Sequence, residues 1–254
     1  MWLSYWVIKS KKRCFQKKKI VVCISGLAGT GKSTLSKKIA AKYNLIYYSG
    51  GDALKVLAAE EGYDSNTPGW WESPEGLGFL EAREKNLKYD KLVDEKLLEF
   101  AKRGNVLLDS WTIPWLINYG FKIWLFASVD KRAERIAHRD KMAKSKALEF
   151  LKEKETKTKN IYKKLYGFNL GEDFTPFNLV LDTEKLNAKE VFDVLCKVME
   201  NIIFTNKNPS DWFFYNKKEI ISWTLLYHYF FLTDKTFLLF WEKQFSVFPV
   251  IFYN

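Results

Sequence analysis

Short apolar runs alternate with longer amphipathic stretches through the first four-fifths of the chain. The runs predict strands over residues 20–25, 45–49, 105–109, 121–127 and 178–182. The stretches predict helices over residues 52–61, 89–102, 131–139 and 188–203, and another helix follows the first strand after a glycine-rich turn. Strands that alternate with helices form a parallel sheet covered on both faces. We therefore expect a three-layer α/β fold with a five-stranded parallel sheet.

Two stretches interrupt this alternation. Residues 62–78 are rich in turn-forming residues, and loops of this length in compact domains are usually functional or disordered. Trp70 and Trp71 lie in this loop, where they either stack on a base or plug the loop against the core. Residues 140–171 are rich in Lys and Glu and predict a helical hairpin before the last strand.

Charge and composition divide the chain into three parts. Eleven of the 41 Lys and Arg residues precede the first acidic residue, Asp52, and the rest balance the 30 Asp and Glu residues. We expect a basic arm over residues 1–19, a core domain over residues 20–205 and an aromatic-rich extension of unknown role over residues 206–254. The hydrophobic content of 47% excludes a wholly disordered chain. The longest apolar run of the extension, residues 220–232, is shorter than the roughly 20 residues that span a bilayer.

Cysteine and histidine usage narrows the chemistry. The three cysteines have no CxxC spacing, and the two histidines have no metal-ligand spacing. These patterns argue against a disulfide framework, a disulfide-linked partner and a transition-metal centre. The apolar start is too short for a signal peptide, and its basic cluster follows it instead of preceding it. We expect a cytoplasmic monomer.

The strongest chemical signal is a complete phosphate-binding motif, G-x-x-x-x-G-K-[ST], between the first predicted strand and helix. Its residues are Gly26, Leu27, Ala28, Gly29, Thr30, Gly31, Lys32, Ser33 and Thr34. The glycines allow successive backbone N–H groups to face phosphate oxygens, and the helix adds its positive N-terminal end. We expect this loop to bind ATP, with Lys32 at the β- and γ-phosphates and Ser33 on Mg²⁺.

Five segments together resemble the cytidylate kinases, particularly their archaeal-type branch. They are the phosphate loop, Ser49-Gly50-Gly51-Asp52, Asp90-x-x-x-Asp94, Arg132-Ala133-Glu134-Arg135-Ile136-Ala137-x-Arg139 and Tyr162-Lys163-Lys164-Leu165-Tyr166-Gly167. The resemblance covers about residues 20–203. It implies a P-loop NTPase fold and the phosphorylation of CMP or dCMP by ATP with Mg²⁺. It also implies a helical monophosphate-binding segment over residues 62–102 and a helical lid over residues 140–171.

Candidate acceptor-binding residues follow from this resemblance and from their positions. They are Asp52, Arg83, Asp90, Asp94, Asp109 and Lys154. Asp109 ends a strand at the carboxyl edge of the sheet, where open α/β folds bind ligands, so it binds Mg²⁺ through water, orients the monophosphate or merely caps the strand. Asp52 either contacts the acceptor or caps a helix.

Arg83, Asp90 and Asp94 have two interpretations each. Arg83 either binds the acceptor phosphate or forms a surface ion pair three or four residues away. Asp90 and Asp94 share one helix face, where they accept hydrogen bonds from the ribose or the cytosine amino group. Alternatively this face is solvated, and Asp94 pairs with Lys91.

Arg132, Arg135 and Arg139 are spaced three and four residues apart, on one face of a helix that leads to the predicted lid. Guanidinium groups stacked in this way repel one another unless they meet anions. We predict that, together with Lys32, they stabilise the charge of the transferred phosphoryl group. The alternative is a set of ordinary ion pairs with Glu134 and Asp140.

The chain departs from the cytidylate kinase pattern at functional positions. Trp111 follows Asp109 and Ser110 where the family has an arginine, and Trp cannot form a bidentate phosphate clamp. By alignment with the family, Lys154 and Ile161 each replace an arginine in the lid. These departures predict a weaker lid clamp, low turnover or a different substrate.

Two other functions remain open at this point. One is a nucleotide-binding switch or RNA-associated ATPase, in which residues 1–19 bind RNA; the same residues also suit an anionic membrane surface or a solvated arm. The other is a kinase for a different small metabolite. ADP formation that depends on the acceptor would separate the kinases from the switch.

Overall fold

The computed structural model describes residues 19–204 and, for the backbone alone, residues 250–251. The predicted N-terminal arm and nearly all of the predicted C-terminal extension lie outside these residues. Five strands form the parallel part of the sheet: β1 (Val21–Ser25), β2 (Ile46–Ser49), β3 (Val106–Asp109), β4 (Phe121–Phe126) and β5 (Leu179–Asp182). Their order is β2-β3-β1-β4-β5, and every neighbouring pair is parallel. The predicted five-stranded parallel sheet is confirmed.

A sixth strand, β6 (Val250–Ile251), was not predicted. It pairs antiparallel with β5 through Val180↔Ile251 and Leu181↔Val250. The two-residue length of β6 is too short for a periodic hydrophobic pattern to indicate a strand.

Eight α-helices and one 3₁₀ turn connect the strands in the described part of the chain. They are α1 (Lys32–Lys42), α2 (Gly50–Glu60), the 3₁₀ turn Trp70–Glu72, α3 (Pro74–Lys85), α4 (Lys88–Arg103), α5 (Ile113–Leu116), α6 (Val129–Asp140), α7 (Lys144–Tyr166) and α8 (Ala188–Ile202). No helix among the described residues is both long enough and apolar enough to cross a membrane.

The predicted hairpin over residues 140–171 is wrong: the segment forms one continuous helix, α7, of 23 residues. No Gly or Pro interrupts residues 144–166, so nothing in the sequence imposes a turn. The helix ends where Gly167 adopts a φ of +80°. Helix α7 packs along both α6 and α3 and so joins the end of the sheet to the segment over residues 62–102.

The core lies on both faces of the sheet. Alternate residues of β1 point to opposite sides, so that Val22 and Ile24 pack with α1 and α8, while Val21 and Cys23 pack with α2 and α4. Both sets are at least 95% buried. This three-layer arrangement leaves the carboxyl ends of β1, β2 and β3 at one edge, where Ser25, Ser49 and Asp109 end their strands.

Candidate active site

The phosphate-binding motif forms a tight loop between β1 and α1. Gly26, Gly29 and Gly31 have φ values of +143°, +83° and +88°, which L side chains rarely adopt. A Cβ at Gly29 would also lie 2.8 Å from the backbone oxygen of Arg132, and one at Gly26 would collide with the carbonyl of Leu125. Glycine is therefore required at Gly26 and Gly29 by contact as well as by conformation.

Lys32 and Ser33 occupy the first turn of α1, which starts directly after the loop. The Lys32 Nζ donates to the Leu27 carbonyl at 3.2 Å. Burial lowers the pKa of Lys32 to about 8, against the Coulombic effect of nearby Asp109, which raises it. The Ser33 hydroxyl donates to Oδ2 of Asp109 at 2.6 Å, and the Tyr47 hydroxyl donates to the same oxygen at 3.3 Å. The ends of β1 and β3 thus bring a lysine, a hydroxyl and a carboxylate together.

The Ser33–Asp109 pair has the chemistry of a magnesium site. A hydroxyl oxygen and a carboxylate oxygen are hard ligands, which Mg²⁺ prefers, and Mg²⁺ commonly takes its remaining ligands from water and substrate phosphates. No cluster of three or more His, Cys, Asp or Glu side chains suited to a metal occurs among residues 19–204. The donor set therefore fits an ion shared with a bound nucleotide and does not form an all-protein cage.

A cleft of about 560 Å³ opens over this edge of the sheet. Its floor is the phosphate loop and Asp109, and its walls come from α2, the 3₁₀ turn, α4, α6 and α7. Seven of the predicted site residues outside the loop line it, together with the motif residue Lys32: Arg83, Asp90, Asp94, Asp109, Arg135, Arg139 and Lys154. The cleft joins a phosphate-binding end to an end that carries buried carboxylates and cations.

Arg83 and Asp90 form a buried ion pair in the wall of this cleft. Arg83 Nη2 lies 2.6 Å from Oδ1 of Asp90 and its Nε lies 3.1 Å from Oδ2, a bidentate arrangement. The two side chains are 3% and 2% exposed. The surface ion pair weighed for Arg83 is therefore wrong, because its partner lies seven residues away on the next helix. Tyr162 of α7 also interacts electrostatically with Arg83.

Asp94 lies one helical turn beyond Asp90 and is also buried. It accepts hydrogen bonds from the Thr112 hydroxyl and, at 2.8 Å, from the Tyr166 hydroxyl. Burial raises the pKa of Asp94 to about 6, although both hydrogen bonds lower it. The solvated face and the Lys91 pair weighed for Asp94 are wrong, because Asp94 is buried and its carboxylate accepts from Thr112 and Tyr166.

The three arginines of α6 contact different partners. Arg132 is buried and donates to the carbonyls of Ala127 and Ala28, each at 3.1 Å, and to Glu155 of α7. Arg135 donates to the backbone oxygen and hydroxyl of Thr183 at 2.6 and 3.0 Å. Of the two ion pairs weighed as an alternative, the structure contains the one between Arg139 and Asp140, whereas Glu134 pairs with Lys131.

Glu72 is a site residue that the sequence did not reveal. Its side chain is 3% exposed, accepts from Lys154 Nζ at 2.9 Å and from Arg139 Nη2 at 2.8 Å, and lines the cleft. Lys154 also lies 5.0 Å from the centre of the Trp71 ring. A lone glutamate in a turn-rich loop carries no signal, because its partners lie 67 and 82 residues away.

The remaining predicted residues differ in their burial and in whether they line the cleft. Trp70 is 1% exposed and packs into the core, as one alternative predicted, and both Trp70 and Trp71 line the cleft. Asp52 does not line the cleft: it is exposed, and its backbone N–H donates to Ser49 Oγ, the actual cap of α2. The helix starts two residues earlier than predicted, which turns Asp52 outward. Ile161 is buried in an apolar cluster.

Comparison with known proteins identifies a matching family and several relatives. The sequence profile of the cytidylate kinase-like family matches residues 21–185. A cytidylate kinase of Methanocaldococcus jannaschii is 33% identical, over 72% of this chain and 99% of the relative. One from Pyrobaculum islandicum is 34% identical, over 71% of this chain and 95% of the relative. Among solved structures, a shikimate kinase from Bacteroides thetaiotaomicron is 14% identical, with a TM-score of 0.45 over 73% of this chain and 99% of that chain.

Proposed function

This chain belongs to the cytidylate kinase-like family and is a nucleoside monophosphate kinase, and from that premise we propose that it transfers the γ-phosphoryl group of ATP to CMP or dCMP with Mg²⁺. One observation carries the proposal. A single cleft of about 560 Å³ contains both the phosphate loop and the buried Arg83, Asp90 and Asp94. Donor and acceptor can therefore meet in one enclosed space, as direct phosphoryl transfer requires.

The loop residues 26–34 support the donor half. Its backbone N–H groups and the N-terminus of α1 suit the phosphates of ATP, and Lys32 supplies a positive charge among them. Ser33 and Asp109 would hold Mg²⁺, which neutralises the phosphate charge that develops during transfer. Arg132 contacts the loop carbonyl of Ala28 and so lies against the phosphate loop, behind the residues that line the cleft.

The segment over residues 62–102 supports the acceptor half. Asp94 presents a buried carboxyl group to the cleft, and a carboxylate accepts hydrogen bonds from an amino group, which cytosine carries and uracil lacks. Arg83 is held rigidly by Asp90 and supplies guanidinium donors for a monophosphate. No general base is needed, because the acceptor oxygen already belongs to a phosphate anion.

Helix α7, within the predicted lid over residues 140–171, supports closure over both substrates. Lys154 lines the cleft from α7, and Arg135 and Arg139 line it from the adjacent α6. We propose that these cations stabilise the transferred phosphoryl group when the lid excludes water. Asp52 is left out of the proposed acceptor site because it lies outside the cleft.

The test measures ADP formation by the purified chain from Mg·ATP with CMP, dCMP, UMP, AMP, GMP or no acceptor. We expect CMP or dCMP to raise turnover most. Lys32→Ala should lower kcat by about 10²–10³-fold, because it removes a preorganised charge at the transferred group. Lys38→Ala is the matched control, since Lys38 lies on the same helix but is exposed and outside the cleft.

The outcomes distinguish the parts of the proposal. A preference for UMP, AMP or GMP would contradict the cytosine acceptor while leaving the family's reaction intact. ATP use that no monophosphate accelerates would contradict the whole acceptor site. Equal losses in Lys32→Ala and Lys38→Ala would show that the assay reports on folding instead of on the phosphate loop.

A further inference from the structure

Trp111 lies in the cleft, two residues after Asp109, and the proposed transfer gives it no role. Its half-buried indole donates from Nε1 to the carbonyl oxygen of Gly26 at 2.6 Å. Gly26 is the first residue of the phosphate loop and has a φ of +143°. A hydrogen bond from the end of β3 therefore holds the start of a loop that leaves β1 in an unusual conformation.

The same ring reaches the other two parts of the site. The Lys32 ammonium lies 5.5 Å from the ring centroid, within cation–π distance. On the α7 side, the ring makes an edge-on contact with Tyr162, with centroids 6.4 Å apart and an interplanar angle of 86°. Tyr162 is 5% exposed and interacts electrostatically with Arg83, which pairs with Asp90. A continuous path of contacts runs from the phosphate loop through Trp111 and Tyr162 to the acceptor side.

We propose that Trp111 is a positioning residue that couples the donor loop to lid helix α7, so that binding of the donor nucleotide and binding of the acceptor strengthen each other. The coupling rests on the proposed function, because it needs both substrates in the cleft. Trp111 acts through the protein and does not bind phosphate. An indole has one hydrogen-bond donor, and Gly26 already occupies it.

Trp115 provides a matched comparison within the same connection. It is also half-buried and donates from its indole Nε1, but its acceptor is Asp173, and its ring stacks on Phe168 with centroids 4.2 Å apart. Both tryptophans pack on the same apolar cluster, yet Trp115 does not line the cleft. A residue that only packs the cluster should behave like Trp115.

The experiment measures ADP affinity by titration calorimetry, with and without a saturating acceptor. ADP lacks the γ-phosphoryl group that the proposed reaction transfers to CMP. The complex of the enzyme with ADP and CMP therefore does not react, and binding can be measured at equilibrium. Wild type, Trp111→Phe, Trp115→Phe and a chain with 3-benzothienylalanine at position 111 are compared. The last replacement keeps the shape of the indole and removes only its N–H donor. If the ADP-formation panel identifies another monophosphate, that monophosphate replaces CMP.

We expect the acceptor to tighten ADP binding by wild type at least about fivefold. Both replacements at position 111 should weaken ADP binding about three- to tenfold, the range for one lost hydrogen bond, and bring the acceptor effect close to one. Trp115→Phe should keep wild-type values of both. Far-ultraviolet circular dichroism of each chain checks that it is folded. If Trp111→Phe does not fold, the benzothienyl chain alone tests the proposal.

Three results would overturn the proposal. The first is wild-type ADP affinity and acceptor effect in the benzothienyl chain. The second is an equal change in Trp111→Phe and Trp115→Phe, which would assign Trp111 to packing alone. The third is a wild-type acceptor effect of one. This last result leaves the proposed function standing if the chain still forms ADP with CMP, so the two failures are separable.

Discussion

The two ends of the cleft are built by different means. At the donor end, backbone glycines shape the loop, and Lys32 donates only to a carbonyl, that of Leu27. At the proposed acceptor and lid end, three cations have carboxylate partners, whereas Arg135 donates to Thr183. The pairs are Arg83–Asp90, Lys154–Glu72, Arg139–Glu72 and Arg139–Asp140.

This difference separates a cation that is free to bind phosphate from cations whose ion pairs stabilise the fold. Lys32 has no carboxylate partner to give up, and its lowered pKa of about 8 reflects burial. A phosphate can therefore bind there without breaking an ion pair. Lys154 and Arg139 are already neutralised by carboxylates, so a phosphate must take over a partner's place there. Changes at the donor end should mainly affect catalysis, while changes at the acceptor end should mainly affect folding.

The variant with the largest expected effect is Asp90→Ala, which tests whether the acceptor end mainly stabilises the fold. Removing one partner of a buried ion pair leaves an uncompensated charge, and we expect the free energy of unfolding to fall by about 3–5 kcal/mol. Urea denaturation followed by circular dichroism measures the change. Lys32→Ala at the donor end should lose much less stability under the same conditions.

Two further variants control this prediction. Asp193→Ala removes an exposed i,i+4 pair with Lys189 on α8 and should cost no more than about 1 kcal/mol. The double variant Arg83→Met/Asp90→Leu removes both charges and should recover part of the loss. If Asp90→Ala behaves like Asp193→Ala, the buried pair does not stabilise the acceptor end.

The same contrast explains what the sequence could predict. The donor end follows from local pattern, because strand, glycine loop and helix are contiguous and each glycine answers a backbone requirement. The five strands follow from apolar runs of four to six residues. Helix α7 was wrongly predicted as a hairpin, although residues 144–166 contain no Gly or Pro that would mark a turn.

The acceptor end depends on contacts between distant residues. Glu72 and Lys154 are 82 residues apart, and Tyr166 and Asp94 are 72 apart. Periodicity identifies which residues share a helix face but does not reveal which helix covers that face. For this reason the shared helix face and the family resemblance singled out Asp94, and the resemblance alone singled out Lys154, but neither revealed Glu72. The sequence also offered solvent-exposed partners for side chains that are buried.

A smaller effect comes from Asp94, whose pKa of about 6 lies above its ordinary value of 3.8. Between these pH values the folded chain holds more protons than the unfolded chain, so its stability falls as pH rises from about 4 to 6. Asp94→Asn cannot ionise and should escape this loss, which amounts to about 3 kcal/mol in total. Urea denaturation at pH 4, 5, 6 and 7 measures the difference between the two chains.

The control for the pH series is Asp193→Asn, an exposed aspartate outside the cleft. Its unfolding free energy should follow the wild-type curve at every pH. A constant difference between wild type and Asp94→Asn from pH 4 to 7 would mean that Asp94 is not protonated in the folded chain, and would leave its hydrogen bonds with Thr112 and Tyr166 as its whole contribution.

Glu72→Gln has the smallest expected effect and is the most direct test of the comparison, because it removes the partner of Lys154 and Arg139 and leaves both cations in place. Glu72→Gln keeps the size of the side chain but withdraws the negative charge from Lys154 and Arg139. We expect stability to fall by about 2 kcal/mol, the range for hydrogen bonds to charged groups. The KM for the acceptor should fall as well, because the phosphate no longer competes with a carboxylate for these two cations.

Glu134→Gln is the matched control, since Glu134 makes an exposed i,i+3 pair with Lys131 on α6. It should change the free energy of unfolding by no more than about 1 kcal/mol and leave the KM for the acceptor unchanged. A rise in KM for Glu72→Gln would mean that Glu72 holds Lys154 and Arg139 in place for the acceptor instead of competing with it. The lid end would then resemble the donor end, with its charges already arranged for phosphate, and the ion pairs would serve catalysis as well as folding.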